Sequence, residues 1–360
     1  MQRLLSLEML RGIAALLVVM FHAQSIFGTR TETVPFFGAF ANGDKGVDLF
    51  FVLSGFIITH THAHDIGRPD RLGNYAFNRI SRIYPAVWIM TILAGIVYSL
   101  GFGGADKTEK IAAWNIAASA LLLPQHGDAL VNVTWTLKYE LCFYVVFSML
   151  VLNRSLGLAL LFLWQGSVLA VSLLGLETNT LATYYLQPIC LEFCIGIGCA
   201  TLVLRRDAIP ALASQTLQRL MFVVGTLGFL GGALLQTYGP ESAKSLPRVA
   251  VYGCSAGLII LSLVLAELDG RLRVGKPLIY LGGASYAIYL AHYSVMSLLG
   301  SALEKVQMQL TGALIIVVVL AAVAASIAFH ELVDRPIQRM LRRAWRERFA
   351  RAQSRVATSS

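Results

Sequence analysis

Apolar residues in this 360-residue chain gather into ten runs, at positions 5–26, 47–62, 84–102, 135–152, 156–176, 184–204, 219–236, 249–266, 278–299 and 312–331. Read as helices crossing about 30 Å of hydrocarbon, they predict an all-α, polytopic membrane protein with ten transmembrane helices. A further apolar stretch, 111–123, is short and stops at Pro124. It reads equally as a span, a re-entrant piece or an interfacial helix.

The placement of Lys and Arg separates these readings. With 111–123 kept on one side and the N-terminus in the cytoplasm, twenty basic residues face inward and seven outward, and Arg11 and Lys138 fall inside spans. Cytoplasmic loops of membrane proteins carry such an excess. If 111–123 crossed, Arg205, Arg206 and the arginine-rich C-terminal segment would lie outside. The expectation is therefore ten spans, both termini cytoplasmic, and 111–123 folded at the outer side.

Composition agrees. The chain is 56% hydrophobic and 14% charged, with a mean hydropathy of +0.67, outside the range of soluble domains. The formal charge of +9 then reports loop orientation rather than nucleic-acid binding. The first run has the length of a span and no small-residue cleavage site behind it, so it is expected to stay as the first helix. The five cysteines sit in apolar runs, where they act as small hydrophobes. Their pattern implies neither a disulfide framework nor a zinc site, and no metal is expected.

No linker divides the chain, so residues 1–334 read as one transmembrane domain and 335–360 as a basic cytoplasmic tail. Eight arginines in that tail alternate with Met340, Leu341, Trp345 and Phe349. It fits a basic amphipathic helix on the anionic inner leaflet, or an orientation signal alone.

Several polar residues interrupt the runs. Arg11 and His22 share the first; eleven residues at 100° each come within about 20° of three turns, so both face one side of the helix, about 16 Å apart along its axis. Charges inside lipid face protein or a water-filled cavity, which points to a lined site. Snorkelling of Arg11 and capping by His22 is the alternative. Given the topology, His22, Asp48, Glu140 and His292 are expected to converge on one outer layer. A histidine with a carboxylate to orient it suits general base catalysis, although hydrogen bonding between neighbouring helices would also account for such residues. At the inner edge, Arg79 and Arg82 lie three residues apart on one helix face, a pair fit for phosphate, or simply part of the inward charge bias. His60, His62 and His64 read as incidental, and Lys138 receives no role.

Taken in order, Leu10-Arg11-Gly12 with His22, the segment Gly46-Val47-Asp48-Leu49-Phe50-Phe51-Val52-Leu53-Ser54-Gly55-Phe56, Arg79-Ile80-Ser81-Arg82, Trp135-Thr136-Leu137 with Glu140, and Ser285-Tyr286-Ala287-Ile288-Tyr289-Leu290-Ala291-His292 resemble the acyltransferase-3 family of membrane acyltransferases. The likeness runs over nearly the whole chain. Among its members the chain is most similar to stand-alone bacterial enzymes that O-acetylate exopolysaccharide or O-antigen, because no hydrolase-like segment follows the tenth run. The resemblance implies acyl-CoA, usually acetyl-CoA, as donor, a glycan or lipid-linked glycan hydroxyl as acceptor, and an inner-membrane location among lipids. It implies catalytic roles for His22, Asp48 and Glu140. Arg11, Arg79 and Arg82 would bind the donor, and Trp135 and His292 the substrate. Small residues of the second helix, Ser54, Gly55 and Thr59, are expected to leave room for the donor's pantetheine arm. A homo-oligomer is compatible with the sequence. A transporter or flippase of a glycolipid or acyl carrier is the rival, but it predicts inverted repeats that the sequence does not display. A non-enzymatic assembly subunit would not need a histidine and carboxylates together.

Overall fold

A computed structural model describes residues 3–28, 35–101, 107–125, 127–176, 184–234 and 245–358. Among these residues the secondary structure is helical throughout, without strands. The principal helices are α1 (Leu5–Gly28), α2 (Gly46–His62), α3 (Leu72–Ser99), α4 (Ala113–Leu121), α5 (Trp135–Leu152), α6 (Arg154–Leu174), α7 (Leu191–Leu204), α8 (Gln215–Leu234), α9 (Cys254–Leu268), α10 (Lys276–Lys305), α11 (Gly312–Phe329) and α12 (Arg335–Thr358).

Seven helical stretches among the described residues are long and apolar enough to cross a bilayer. They carry α1, α2, α3, α5, α6, α9 and α11. The expected run at 184–204 forms a shorter apolar helix, Pro188–Leu204. The runs at 219–236 and 278–299 fall on α8 and α10, the last two residues of the first lying outside the described residues, and α10 is the more polar of the two. Segment 111–123 yields only nine helical residues in α4, about 14 Å of rise and too little to span. Its C-terminus is closed by Leu122 in the left-handed conformation, ahead of Pro124.

The polarity of α10 has a structural reason. Every residue from Ala284 to His292 is buried, so this stretch is surrounded on all sides and forms the axis of the bundle. Its Ser285, Tyr286, Tyr289 and His292 face protein instead of lipid. The peripheral helices show the opposite pattern, exposing Ile92, Phe162, Leu163, Leu227 and Leu320 as an apolar belt.

Two glycine crossings set helix positions. Any side chain on Gly282 of α10 would run into the backbone of Glu8, and one on Gly12 of α1 would press on Leu281 and Gly282. The two helices therefore touch backbone to backbone, as small residues allow in membranes. At the second crossing Gly55 of α2 lies against the backbone of Phe193, and Gly196 of α7 against that of Val52. Gly55 thus serves helix packing rather than a channel, which corrects the expectation for that residue.

At one end of the bundle the backbone N–H groups of Leu5 and Ser6 donate to the two carboxylate oxygens of Glu267, at 2.6 and 2.8 Å. A carboxylate there satisfies free N–H groups and the positive end of the α1 dipole. Arg3 and Arg335 border the same surface hollow, so the chain's first described residues and the start of α12 lie at this end. It is called the basic end below.

Candidate active site

The close approach of Gly12 and Gly282 fixes what happens further along. From that crossing α1 and α10 run side by side, and ten residues beyond it on each helix stand His22 and His292. Their rings meet, His22 Nδ1 lying 2.9 Å from His292 Nε2. The other nitrogen of His292, Nδ1, is 2.8 Å from the Ile288 carbonyl oxygen. A carbonyl only accepts, so Nδ1 of His292 carries a hydrogen, and in the neutral ring its Nε2 is an acceptor. His22 Nδ1 then donates to it, which leaves the lone pair of His22 on Nε2. Tyr293 contacts the His22 ring edge-on, with centroids 5.1 Å apart. The pair is thus a half-buried imidazole, held by a fully buried one in the tautomer that a base requires.

Toward the basic end a cavity of about 110 Å³ lies between α2, α3, α5 and α10. Arg11, Arg79, Arg82, Glu140 and Tyr144 line it. Glu140 accepts hydrogen bonds from Ser54 Oγ at 2.9 Å and from the Tyr144 hydroxyl. The Arg79 guanidinium lies 5.7 Å from the Tyr144 ring centroid and that of Arg82 lies 5.6 Å from Tyr286, within cation–π reach. Arg79 Nε is buried without a hydrogen-bond partner. A second hollow opens at the basic end and shares Arg11, Ile57, Arg79 and Arg82 with the first, so the two form one passage.

The passage stops short of the histidines. Its far wall includes Phe50 and Tyr289, whose rings are 5.6 Å apart, and Tyr289 is 6.1 Å from the His292 ring. The Tyr289 hydroxyl is 2.8 Å from Thr136 Oγ1 and donates to Val133 O at 3.1 Å. Phe50 and Tyr289 therefore stand between the passage and the histidine pair.

The expected single layer of His22, Asp48, Glu140 and His292 divides three ways. His22 and His292 are together. Glu140 sits with the arginines, two turns along α2 from Gly46, at Ser54. Asp48 belongs to neither group: both its oxygens accept from Arg248, at 2.9 and 2.6 Å, in a bidentate pair. Arg248 also donates to Asp44 at 3.0 Å, and Lys45 Nζ donates to the same Asp44 oxygen at 2.7 Å. No carboxylate orients His22 among the described contacts; His292 fills that place, which corrects the expected assignment to Asp48 or Glu140. The depth was misjudged because α2 begins inside the bundle, where Gly43 and Gly46 seat against the α1 backbone at Leu17 and Ala14.

Of the remaining expectations, Ser54 lines the passage but Thr59 does not. Trp135 stands at the start of α5 in edge contact with Tyr139, while its neighbours Thr136 and Leu137 reach the passage. Lys138 is buried over the Tyr184 ring, 5.0 Å from its centroid, and not paired with Glu140. His62 bonds Asp65 at 2.8 Å, and no group of His, Cys, Asp or Glu among the described residues could hold a metal ion. Sequence reading missed Arg248, Tyr144, Tyr286 and Tyr289, together with Arg342 and Arg346 of α12.

Comparison with known proteins bears on the chemistry. A family model described as "Acyltransferase domain" matches residues 4–331. The chain is 26% identical to the exopolysaccharide production protein ExoZ of Rhizobium meliloti, over 83% of this chain and 91% of that one. It is 27% identical to acyltransferase MdmB of Streptomyces mycarofaciens, over 95% and 93% of the two chains. Identity to the peptidoglycan O-acetyltransferase OatA of Listeria monocytogenes is 24%, over 94% of this chain and 56% of the longer protein. No solved structure matches the chain significantly.

Proposed function

Because this chain belongs to the acyltransferase-3 family of membrane acyltransferases, we propose that it is an O-acyltransferase of the bacterial cytoplasmic membrane. It moves an acyl group, acetyl first of all, from cytoplasmic acyl-CoA to a hydroxyl of an extracytoplasmic or lipid-linked glycan such as exopolysaccharide or O-antigen. One observation carries the reading: an arginine-lined passage opens at the basic end, and a base-ready histidine lies about 16 Å further along the same helix that supplies Arg11. The names of the relatives add O-acetylation and exopolysaccharide to the acceptor side.

On this reading the basic end is cytoplasmic, ten helices span the membrane and both termini face inward, in keeping with the excess of Lys and Arg there. The phosphates of CoA bind Arg79, Arg82 and Arg11, since arginine offers phosphate a planar, multidentate donor set. The pantetheine arm extends between α2 and α10, and the thioester passes Phe50 and Tyr289. His22 Nε2 removes the proton of the acceptor hydroxyl as its oxygen attacks the thioester carbon. When the C–S bond breaks, the imidazolium returns that proton to the CoA thiolate. His292 accepts from His22 Nδ1 throughout, fixing the ring. Direct transfer of this kind gives sequential kinetics and no stable acyl-enzyme.

The test is mass spectrometry of cell-surface glycans from cells with and without the protein, and from cells carrying His22→Ala. Loss of an acyl mass from a glycan in the second and third samples is expected. Identical glycans in all three would remove the assignment.

A further inference from the structure

The helix α12 lies beyond the stretch matched by the family model, yet it returns to the mouth of the passage. Trp345 stacks on Phe77 of α3, the rings nearly parallel at 6° and their centroids 4.2 Å apart. That contact brings Arg342 and Arg346, one turn apart and on the same face of α12, to the hollow that Arg11, Arg79 and Arg82 already line. Five arginines thus border a hollow of about 530 Å³. Among the described residues lining it, none is acidic.

Arg11 has Glu8 at 3.6 Å, but the other four arginines make no ion pair among the described contacts, and such a cluster favours an anion between them. Arg342 holds one neutral partner, Gln338 at 3.0 Å, and the buried Nε of Arg79 has none. Two other arginines of α12 have carboxylate partners, Arg335 with Glu331 at 2.6 Å and Arg343 with Glu347 at 3.1 Å. Arg342 and Arg346, which face the mouth, have no such partner among the described contacts.

We infer that α12 is a wall of the donor site, with Arg342 and Arg346 binding phosphate groups of the nucleotide end of acyl-CoA opposite Arg79 and Arg82. The inference rests on the donor reading above and deepens it. Two ligands share the chemistry, the phosphates of CoA and the headgroup of an anionic lipid, and the position of the arginines around one concave mouth favours the first. The Trp345–Phe77 stack is what holds the wall in place, so α12 has a positioning contact as well as a binding face.

The experiment is calorimetric titration of the full-length protein, in a neutral detergent without lipid, with CoA and with dephospho-CoA. Wild type is compared with the Arg342→Gln/Arg346→Gln double variant and with Arg343→Gln, whose side chain is directed to Glu347. Each charge-assisted hydrogen bond lost corresponds to about a tenfold or greater change in affinity. The double variant is expected to bind CoA at least about tenfold more weakly, while Arg343→Gln binds as wild type does. If the 3′-phosphate is the group held, the double variant also loses the wild type's preference for CoA over dephospho-CoA. Unchanged CoA affinity in the double variant overturns the inference, and if that variant instead loses the wild type's co-sedimentation with phosphatidylglycerol vesicles, measured alongside, the arginines belong to lipid. A wild type that binds no CoA fails at an earlier point, removing the donor reading itself and this wall with it.

Discussion

Arg248 and the pair Arg79 and Arg82 show two fates for arginine in one helix bundle. Arg248 is 1% exposed and saturated by Asp48 and Asp44, with Lys45 and the buried Glu192 in the same cluster. Arg79 and Arg82 face aromatic rings and open space, with Glu140 already held by Ser54 and Tyr144. A charge matched by its neighbours ties helices together, here the entry to α2 with the segment before α9. A charge left facing a cavity is available to a ligand. Asp48 was expected to be catalytic because the depth count placed it beside His22 and the family resemblance implied that role; its bidentate bonds to Arg248 put it in a different cluster from His22.

The comparison is broken most severely by cutting the saturated cluster. Arg248→Ala leaves Asp48 buried without its partner, and removing one member of a buried pair typically costs about 3–5 kcal/mol. Loss of folded protein is expected, seen as a lower thermal midpoint in detergent. The pair Asp48→Asn with Arg248→Gln should recover part of that stability, since it removes both charges together. A stable Arg248→Ala protein would show that the cluster does not hold the bundle.

Next in size, His22→Ala should lower transfer by about 10²–10⁴-fold while leaving the thermal midpoint near that of wild type. The measurement is acyl transfer in membranes at matched protein levels. Transfer at the wild-type rate would rule out His22 as the base. His292→Gln should act more mildly, by about tenfold, because its amide oxygen can accept from His22 Nδ1 while its hold on the ring is looser. A His292→Gln protein as inactive as His22→Ala would show that His292 does more than orient its neighbour.

Much of this was legible in the chain. The ten apolar runs all fall on helices, and the eleven-residue spacing of Arg11 and His22 does place them on one face of α1, at the passage and at the histidine pair. Arg79 and Arg82 were readable for the same reason, since neighbours on a helix are set by 3.6-residue periodicity. What spacing does not encode is which helices touch. Arg248 lies two hundred residues from Asp48, and the register that brings His22 to His292 depends on Gly12 and Gly282 meeting backbone to backbone. Depth counted along each run also assumes that runs begin at the membrane surface. It failed for Asp48 because α2 starts within the bundle, seated against α1 by Gly43 and Gly46, and for Glu140 because α5 also starts at depth, its Thr136 already bonded to Tyr289 of α10. The tail read as a lipid-facing helix or as an orientation signal alone, because an alternation of arginine and apolar residues does not say which surface the helix meets; the stack of Trp345 on Phe77 lays part of it against α3.

The central claim is that the unpaired arginines hold the donor while the histidine pair performs the transfer, and calorimetric titration with acetyl-CoA separates these tasks. Purified wild type, His22→Ala and the Arg79→Ala/Arg82→Ala double variant are titrated side by side, each first shown to be folded. The account predicts that His22→Ala binds acetyl-CoA as wild type does and that the double variant binds it at least about tenfold more weakly. Full affinity in the arginine variant, with binding lost in His22→Ala, would contradict it.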